Sequence, residues 1–383
     1  MKPLVTIITP SYNQGRFIRA TIDSVLSQDY PRIEYIVMDG GSTDESKAIA
    51  GEYGDRLVWI SEKDRGQAHA INKGFRMAKG EIVAWLNSDD SILPGAVSHA
   101  VRAFERKPDL GAVYGEGYQI DIDGKIKCRF PGTEPFNLWK LVYLHDYILQ
   151  QTLYFRRSVF DEIGYLDESL NWGMDWDILV RIGKRHMLEY IPEYMGCLRE
   201  YSEAKTATGS GERFWELVRI LRRHTGCRYP PGYIVHGLDT YGKIWDEWIE
   251  RRTPGFLRKP SAWFRKHLFH ATRHVIDRTV LEAQGWYADG WASPKVNYML
   301  PPGSGRLRLR GALLSLSPKL KGQTIRVECN GASQDIAIDF GEFDVTVAVE
   351  VNAEPVTIVL RASRWLSQDR HRLAYKLGSL EWI

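Results

Sequence analysis

Over residues 1–109, apolar runs of strand length alternate with stretches of helical period. VTIITP precedes a helix expected over residues 15–28, and IEYIVMD precedes one starting near Thr43. LVWISEKD leads into a helix through AHAINKGFRMA, and EIVAWLNSDD into one over Ala96–Arg106. Strands and helices in this alternation predict βαβ units and a largely parallel sheet. In such sheets the ligand crevice lies beyond the carboxyl ends of the strands. The first strand runs out at Thr9, Pro10, Ser11, Tyr12 and Asn13, the second at Asp39, the third at Asp64 and the fourth at Asp89. Three strands thereby deliver a carboxylate to one edge. A single terminal Asp is usually a helix cap; three that converge are harder to explain that way.

EIVAWLNSDD runs a β-branched and aromatic strand into two adjacent acids, Asp89 and Asp90, preceded by Asn87 and Ser88. Neighbouring carboxylates repel each other, so something must compensate them. Hard oxygen ligands at a strand end suit Mg2+ or Mn2+, which commonly take substrate phosphates as further ligands. The alternative is a solvated turn whose Asp caps the helix beginning near Pro94. After Asp39, GGSTDES offers two glycines for close backbone approach, and Ser42 with Glu45 reads as a capping box. Lys63, Asp64, Arg65 and Gly66 place polar and cationic groups beside the strand ends, with solvated loop charges as the simpler reading. The chain has neither GxxxxGK[ST] nor a GxGxxG after the first strand, so the P-loop and dinucleotide readings are unsupported.

Three stretches, VTIITPSYNQGRFIRATIDSVLSQDYPRIEYIVMDGGSTDES, EKDRGQAHAINKGFRMAKGEIVAWLNSDD and QQTLYFRRSVFDEIGYLDESLNWGMDWDILVRI, together resemble the inverting, nucleotide-sugar-dependent glycosyltransferases of the large bacterial family 2, which have the GT-A fold. The resemblance extends to about Thr206. It implies a UDP-, dTDP- or GDP-sugar donor held by Pro10, Ser11, Tyr12, Asn13, Asp39 and Asp64, with Gln67, Asn72, Asn87, Ser88 and Arg199 on the same side. The family's Asp-x-Asp signature falls on Asn87-Ser88-Asp89, which implies Asp89 as the ligand of a divalent cation, Mn2+ or Mg2+, with Asn87 and Asp90 as further candidates. Asn87 in place of the first acid weakens the charge on the metal. In LREYSEAKT, Tyr201 stands where relatives often carry a histidine that reaches the metal or the diphosphate. Water, Arg199 acting on phosphate, or nothing would replace it.

WGMDWDILVRI reads as a helix that buries Ile178, Leu179 and Ile182 and has Asp175 in its first turn, where the helix N-terminus stabilises any acid. By resemblance Asp175 is the catalytic base, with Met174 at a position often Glu in relatives, and Asp177 is the second candidate. An inverting transfer needs a base on the acceptor side of the anomeric carbon and a stabilised diphosphate on the other. No acid is needed for a poor leaving group, so one carboxylate and one metal suffice. Gln151, Tyr154, Trp172 and Trp176 are placed on the acceptor side, where aromatic faces stack on sugar rings, with the core as the alternative for each.

Composition bounds the rest. The 383 residues are 44% apolar with a net charge of +3, too small for a nucleic-acid footprint. Cys128, Cys197, Cys227 and Cys329 lack CxxC spacing, which argues against a zinc site or a disulfide framework. MKPLVTIITP carries no apolar signal segment and no uninterrupted span approaches the ~20 residues of a membrane crossing, so the expected location is cytoplasmic. Three domains are expected: a GT-A catalytic domain over residues 1–211, a helical, basic and aromatic linker over 212–284, and an all-β sandwich over 285–383. The sandwich is read from short alternating runs such as RLRLRGALLSL, QTIRVECN and EPVTIVLRAS. RRTPGFLRKPSAWFRKHLFHATRHVIDR, residues 251–278, suits peripheral contact with the inner, anionic leaflet through Trp263, Phe264, Leu268 and Phe269, or packing of those residues onto the catalytic domain. The leading functional expectation is transfer of a sugar to a glycan or lipid-linked glycan acceptor in cell-surface polysaccharide biosynthesis. A sugar-nucleotide pyrophosphorylase would want a Gly-rich, basic loop where this chain has TPSYN. A non-catalytic glycan-binding protein on a degenerate scaffold is the third reading.

Overall fold

A strand covered on both faces must be apolar at every position rather than at alternate ones, and the first apolar run meets that condition. β1 (Val5–Ser11) is buried along its whole length, between β2 (Ile33–Asp39) on one side and β4 (Ile82–Trp85) on the other, both parallel to it. β3 (Val58–Ser61) extends this parallel half beyond β2. The computed structural model describes residues 2–205, 211–252, 284–285, 291–303, 305–350, 354–368 and 371–382.

Helices α1 (Gly15–Leu26), α2 (Ser46–Gly51) and α3 (Gln67–Met77) follow β1, β2 and β3 in turn. The short β5 (Ser91–Ile92) and α4 (Ala96–Arg106) follow β4. The sheet then reverses. β8 (Tyr154–Arg156) lies antiparallel between β4 and β6 (Leu110–Ile120), and β6 runs parallel to β9 (Met187–Arg199), with β7 (Ile126–Arg129) at the side of β6. Trp85 stacks on Phe155 across the seam between the halves, with ring centroids 5.4 Å apart and planes 1° from parallel. The order β3-β2-β1-β4-β8-β6-β9-β5 makes a mixed sheet with flanking helices, the GT-A arrangement.

Register brings the chemistry together. Asp39 at the end of β2 is aligned with Ser11 on β1 and Ser61 on β3, so three strand ends meet at one level. Asp64 and Asp89 are not strand residues as the pattern suggested. β3 stops at Ser61 and β4 at Trp85, and the two aspartates sit on the loops that follow. The capping box is also corrected. α2 starts at Ser46 without a cap from Glu45, because the Ser42 hydroxyl is drawn to Asp39 instead.

The chain divides into two compact units: Met1–Phe136 with Lys140–His236, and Asn137–Trp139 with Gly237–Ile383. The first unit therefore runs past residue 211 and includes the helix Gly211–Thr225, which buries Phe214, Leu217, Val218, Ile220 and Leu221. A second helix spans Gly232–Arg252. Residues 253–278 of the expected membrane-contacting segment lie outside the described residues. The second unit holds two four-stranded antiparallel sheets. Alternate residues are buried along their strands, as in Val296, Tyr298 and Leu300 or Ile325, Val327 and Cys329. That is the alternation expected of a sandwich. Among the described residues no helix is long and apolar enough to cross a membrane.

Candidate active site

Asp39 is the hub of the donor side. Its buried carboxylate accepts bonds from Gly41 N at 3.2 Å, Ser42 N at 3.0 Å and Ser61 Oγ at 2.5 Å, and also from the Ser42 hydroxyl. Asn13, in a left-handed conformation with φ of 51°, ties the β1 loop to the same turn: its N donates to Ser42 Oγ at 2.8 Å and its Oδ1 accepts from Thr43 N at 2.9 Å. Two adjacent glycines serve different ends. A Cβ on Gly40 would lie 2.7 Å from Asp64 Oδ2 and 3.3 Å from the Tyr12 ring, whereas one on Gly41 would meet nothing closer than 4.0 Å. Gly41 is instead required by its φ of 88°. Gly40 thus lets Tyr12 and Asp64 converge beside Asp39. Tyr12 is 61% exposed, a flat ring open to a ligand, and Ser11 Oγ is buried with no partner. Pro10 lies within β1 one residue earlier. Asp64 Oδ1 accepts from Gly66 N at 2.9 Å, ahead of α3.

The second group surrounds Asn87–Asp90. A chain of amides crosses it: Lys205 Nζ donates to Gln67 Oε1 at 2.9 Å, Gln67 Nε2 to Asn87 Oδ1 at 2.7 Å, and Asn87 Nδ2 to Asp90 Oδ2 at 3.2 Å. The Ser88 and Asp90 carbonyls accept from Thr21 Oγ1 at 2.9 and 2.7 Å, which pins the loop to α1. The two acids differ sharply. Asp90 is buried, and burial together with the Asp89 charge pushes its carboxyl up to about 8, against hydrogen bonds from Arg199 N, Gln151 and Asn87. Gln151 Nε2 sits 2.5 Å from Asp90 Oδ2 while Gln151 Oε1 is buried without a partner. Turning that amide over would let a protonated Asp90 donate to it, and 2.5 Å is a normal O–H···O length. Asp89 makes different contacts. Its Oδ2 accepts from Tyr201 OH at 2.7 Å, and its backbone O from Arg199 Nε at 2.7 Å.

Among the described residues, no group of three or more His, Cys, Asp or Glu could hold a metal by itself. Asp90 is largely protonated near neutrality and Asn87 is engaged through both amide atoms, which leaves the Asp89 side chain as the candidate ligand on this loop. This set fits an ion that takes one carboxylate and completes its shell with diphosphate and water, and it fits no tighter site. Two residues expected on the donor side are occupied elsewhere. Asn72, 1% exposed, exchanges bonds with Leu166 O at 2.9 Å and Leu166 N at 3.0 Å. Arg199 spends its guanidinium on the carbonyls of Asp89, Asp121 and Ile122, so it holds the Asp89 loop instead of facing a phosphate.

The helix Met174–Gly183 starts at the N-cap Gly173 and carries Asp175 in its first turn. Asp175 is half-buried, and burial raises its carboxyl above the usual aspartate range, opposed by Trp176 N at 2.9 Å and by the charges of Lys205 and Arg213. Asp177 is not comparable. It is fully buried between Arg181 Nε at 2.8 Å, His224 Nε2 at 2.8 Å and Arg223 at 3.2 Å, and this pairing overcomes burial to hold its carboxyl low. Trp176 is a core residue whose indole donates to Leu141 O at 2.7 Å. Trp172 keeps a buried indole N–H without a partner, and so does the Tyr154 hydroxyl. Three residues had no signal in the sequence. Asp146 is a second acid beside Asp175, pushed well up by burial and by the Asp175 charge. Lys205 is drawn by both Asp175 and Glu216, although burial lowers its pKa. Glu216 caps the turn before Asp175.

A family profile, glycosyl transferase family 2, matches residues 6–164. The chain is 34% identical over 183 residues to an uncharacterised glycosyltransferase of Rickettsia prowazekii, covering 46% of this chain and 57% of that protein. It is 32% identical over 186 residues to a PGL/p-HBAD biosynthesis glycosyltransferase of Mycobacterium bovis, covering 47% of this chain and 69% of that one. The chain thus spans little more than half the length of the first of these relatives. A solved structure, the mannosyltransferase PcManGT from Pyrobaculum calidifontis in complex with GDP-Man and Mn2+, aligns with a TM-score of 0.49 and 18% identity over 74% of this chain and 88% of that one.

Proposed function

Because the chain belongs to glycosyltransferase family 2, we propose that it moves a sugar with inversion from a nucleotide-sugar donor to a glycan or lipid-linked glycan acceptor in cell-surface polysaccharide biosynthesis. The observation that carries this reading is the division of carboxylates. Asp39, Asp64 and Asp89 lie at or just beyond the strand ends on one side, and Asp175 stands apart in a helix first turn with its carboxyl raised above the usual aspartate range by burial. A base must be able to take a hydroxyl proton, and burial that raises a carboxyl makes it the more basic.

In this mechanism the nucleoside and diphosphate lie against Tyr12, the turn organised by Asp39, and Asp64. Asp89 would hold a divalent cation, Mn2+ or Mg2+, which when bound supplies positive charge against the diphosphate. Asp175 accepts the proton of the acceptor hydroxyl as its oxygen bonds to the anomeric carbon. The bond from that carbon to the diphosphate oxygen breaks on the opposite face, and nucleoside diphosphate leaves. One displacement inverts the anomeric configuration. Trp172, three residues before this base, is half-buried, and its ring is the candidate platform for the acceptor. The acceptor class draws on that aromatic side and on the relative named for PGL/p-HBAD biosynthesis.

Asp175→Asn keeps shape and hydrogen bonding but removes basicity. It should leave nucleotide-sugar affinity near parental in calorimetry while turnover falls by about 10²-fold or more. A product that retains the donor's configuration by NMR, or normal turnover in the variant, would defeat the mechanism. Sugar binding without any turnover in the parent would favour the glycan-binding alternative.

A further inference from the structure

The helix Gly211–Thr225 lies beyond residues 6–164, the span that the family profile matches, yet it governs the turn that presents Asp175. Glu216 is 4% exposed and accepts three successive backbone N–H groups: Asn171 N on Oε2 at 2.9 Å, and Trp172 N and Gly173 N on Oε1 at 2.6 and 2.9 Å. The helix that starts at Met174 has Gly173 at its N-cap and no side-chain cap of its own. The three N–H groups belong to the residues that lead into this helix, so a carboxylate from another element fixes the chain's entry to it. A side chain at 173 is excluded by the same neighbour, since a Cβ there would lie 2.5 Å from Ile220 Cδ1 and 3.0 Å from Leu217 Cδ2. A second clamp closes on Asp177, which receives Arg223 and His224 from the end of that helix.

A carboxylate buried to this degree is costly unless its bonds are strong and well placed, and charge-assisted bonds to three N–H groups are of that kind. We propose that Glu216 is a positioning residue for the transfer reaction: it fixes the turn over residues 171–173 and so aims Asp175, two residues on, at the acceptor hydroxyl. The helix Gly211–Thr225 is then part of the catalytic unit. This inference rests on Asp175 being the base.

The test uses the full chain with Glu216→Gln and Glu216→Asp beside Asp175→Asn. Glu216→Gln keeps an oxygen for Trp172 and Gly173 but turns an NH2 toward Asn171 N. Nucleoside diphosphate affinity and donor KM should stay within about twofold of the parent, while kcat drops about tenfold, because small misplacements of a reacting group are expensive. The groups facing Asp175 are Asp146, Lys205 and Arg213, with Glu216 acting on Lys205. Loss of the Glu216 charge should therefore move the acid limb of the kcat profile to lower pH. Glu216→Asp keeps the charge and shortens the reach, so kcat should fall with that limb unmoved. Hydrogen exchange over residues 171–173 should quicken in both. Parental kcat and pH profile despite quickened exchange would show that Glu216 only steadies the loop, and would overturn the inference. If the Gln variant does not fold, parental kcat in the Asp variant with quickened exchange is the overturning result. Normal turnover in Asp175→Asn would defeat the proposed base itself, a separate outcome.

Discussion

The two acids at the end of EIVAWLNSDD look alike in the sequence and are unlike in the fold. Asp89 faces Tyr201 and the donor side, so Asp89→Ala should lower donor affinity and turnover together, with added Mn2+ restoring little; calorimetry with nucleoside diphosphate checks this. Asp90 stays protonated near neutrality, from its ordinary 3.8 up to about 8. Between those values the folded chain holds a proton that the unfolded chain has lost. Stability therefore falls as pH rises from 3.8 toward about 8, and the contribution is fully present only below that window. Asp90→Asn should fold and should lack this part of the pH dependence when melting temperatures are compared across pH 5–8. The adjacent glycines make a matched pair of predictions. Gly40→Ala should fold yet weaken donor binding by displacing Asp64, whereas Gly41→Asn, whose Cβ would meet nothing closer than 4.0 Å and which tolerates positive φ, should bind donor nearly as the parent does. Asp39 was legible at its place because it ends an apolar run, whereas Asp64 and Asp89 fall on the loops that follow β3 and β4. Asp146, Lys205 and Glu216 were not legible, since nothing in HDYILQQT, LREYSEAKT or GERFWELVRI marks a charged group that packing will bring beside Asp175. Ser42 with Glu45 misled because a nearby carboxylate competes for the same hydroxyl.

At the scale of elements, periodicity located β1, β2, α3 and α4 well, because apolar runs and amphipathic faces respond to burial alone. It said nothing of the reversal at β8, since a short strand pairs either way with the same side chains. The helix Gly211–Thr225 was visible as a helix but not as part of the catalytic unit, because its apolar face does not name its partner. A chain ended at residue 210 should fail to fold, having lost both Glu216 and the cover provided by Phe214 and Leu221. Leu221→Ala, at a fully buried site, should cost about 2–5 kcal/mol in a denaturant titration.

Across the whole molecule, every group assigned to the chemistry belongs to the first compact unit, and the second contributes two antiparallel sheets with no acid or cation assigned to the site. A chain ended at residue 284 should accordingly still release nucleoside diphosphate from donor, and a folded truncation without turnover would contradict that division. The alternating short strands made the sandwich legible, while its role is not written in them. Within the first unit the bonds that finish the Asp89 loop come from far along the chain: Arg199 and Tyr201 lie 110 and 112 residues after it, and Lys205 lies 138 after Gln67. At about 5–20 residues per second, a ribosome needs about 5–20 s to cover the first of those gaps. Through that interval the nascent chain carries the Asp89 loop without its later partners, and until β8 is made it also carries an uncovered β4 edge. An unpaired edge is where chains stick to one another. The window in which this protein is most vulnerable is therefore set by the order in which its site is synthesised, and slower translation would widen it.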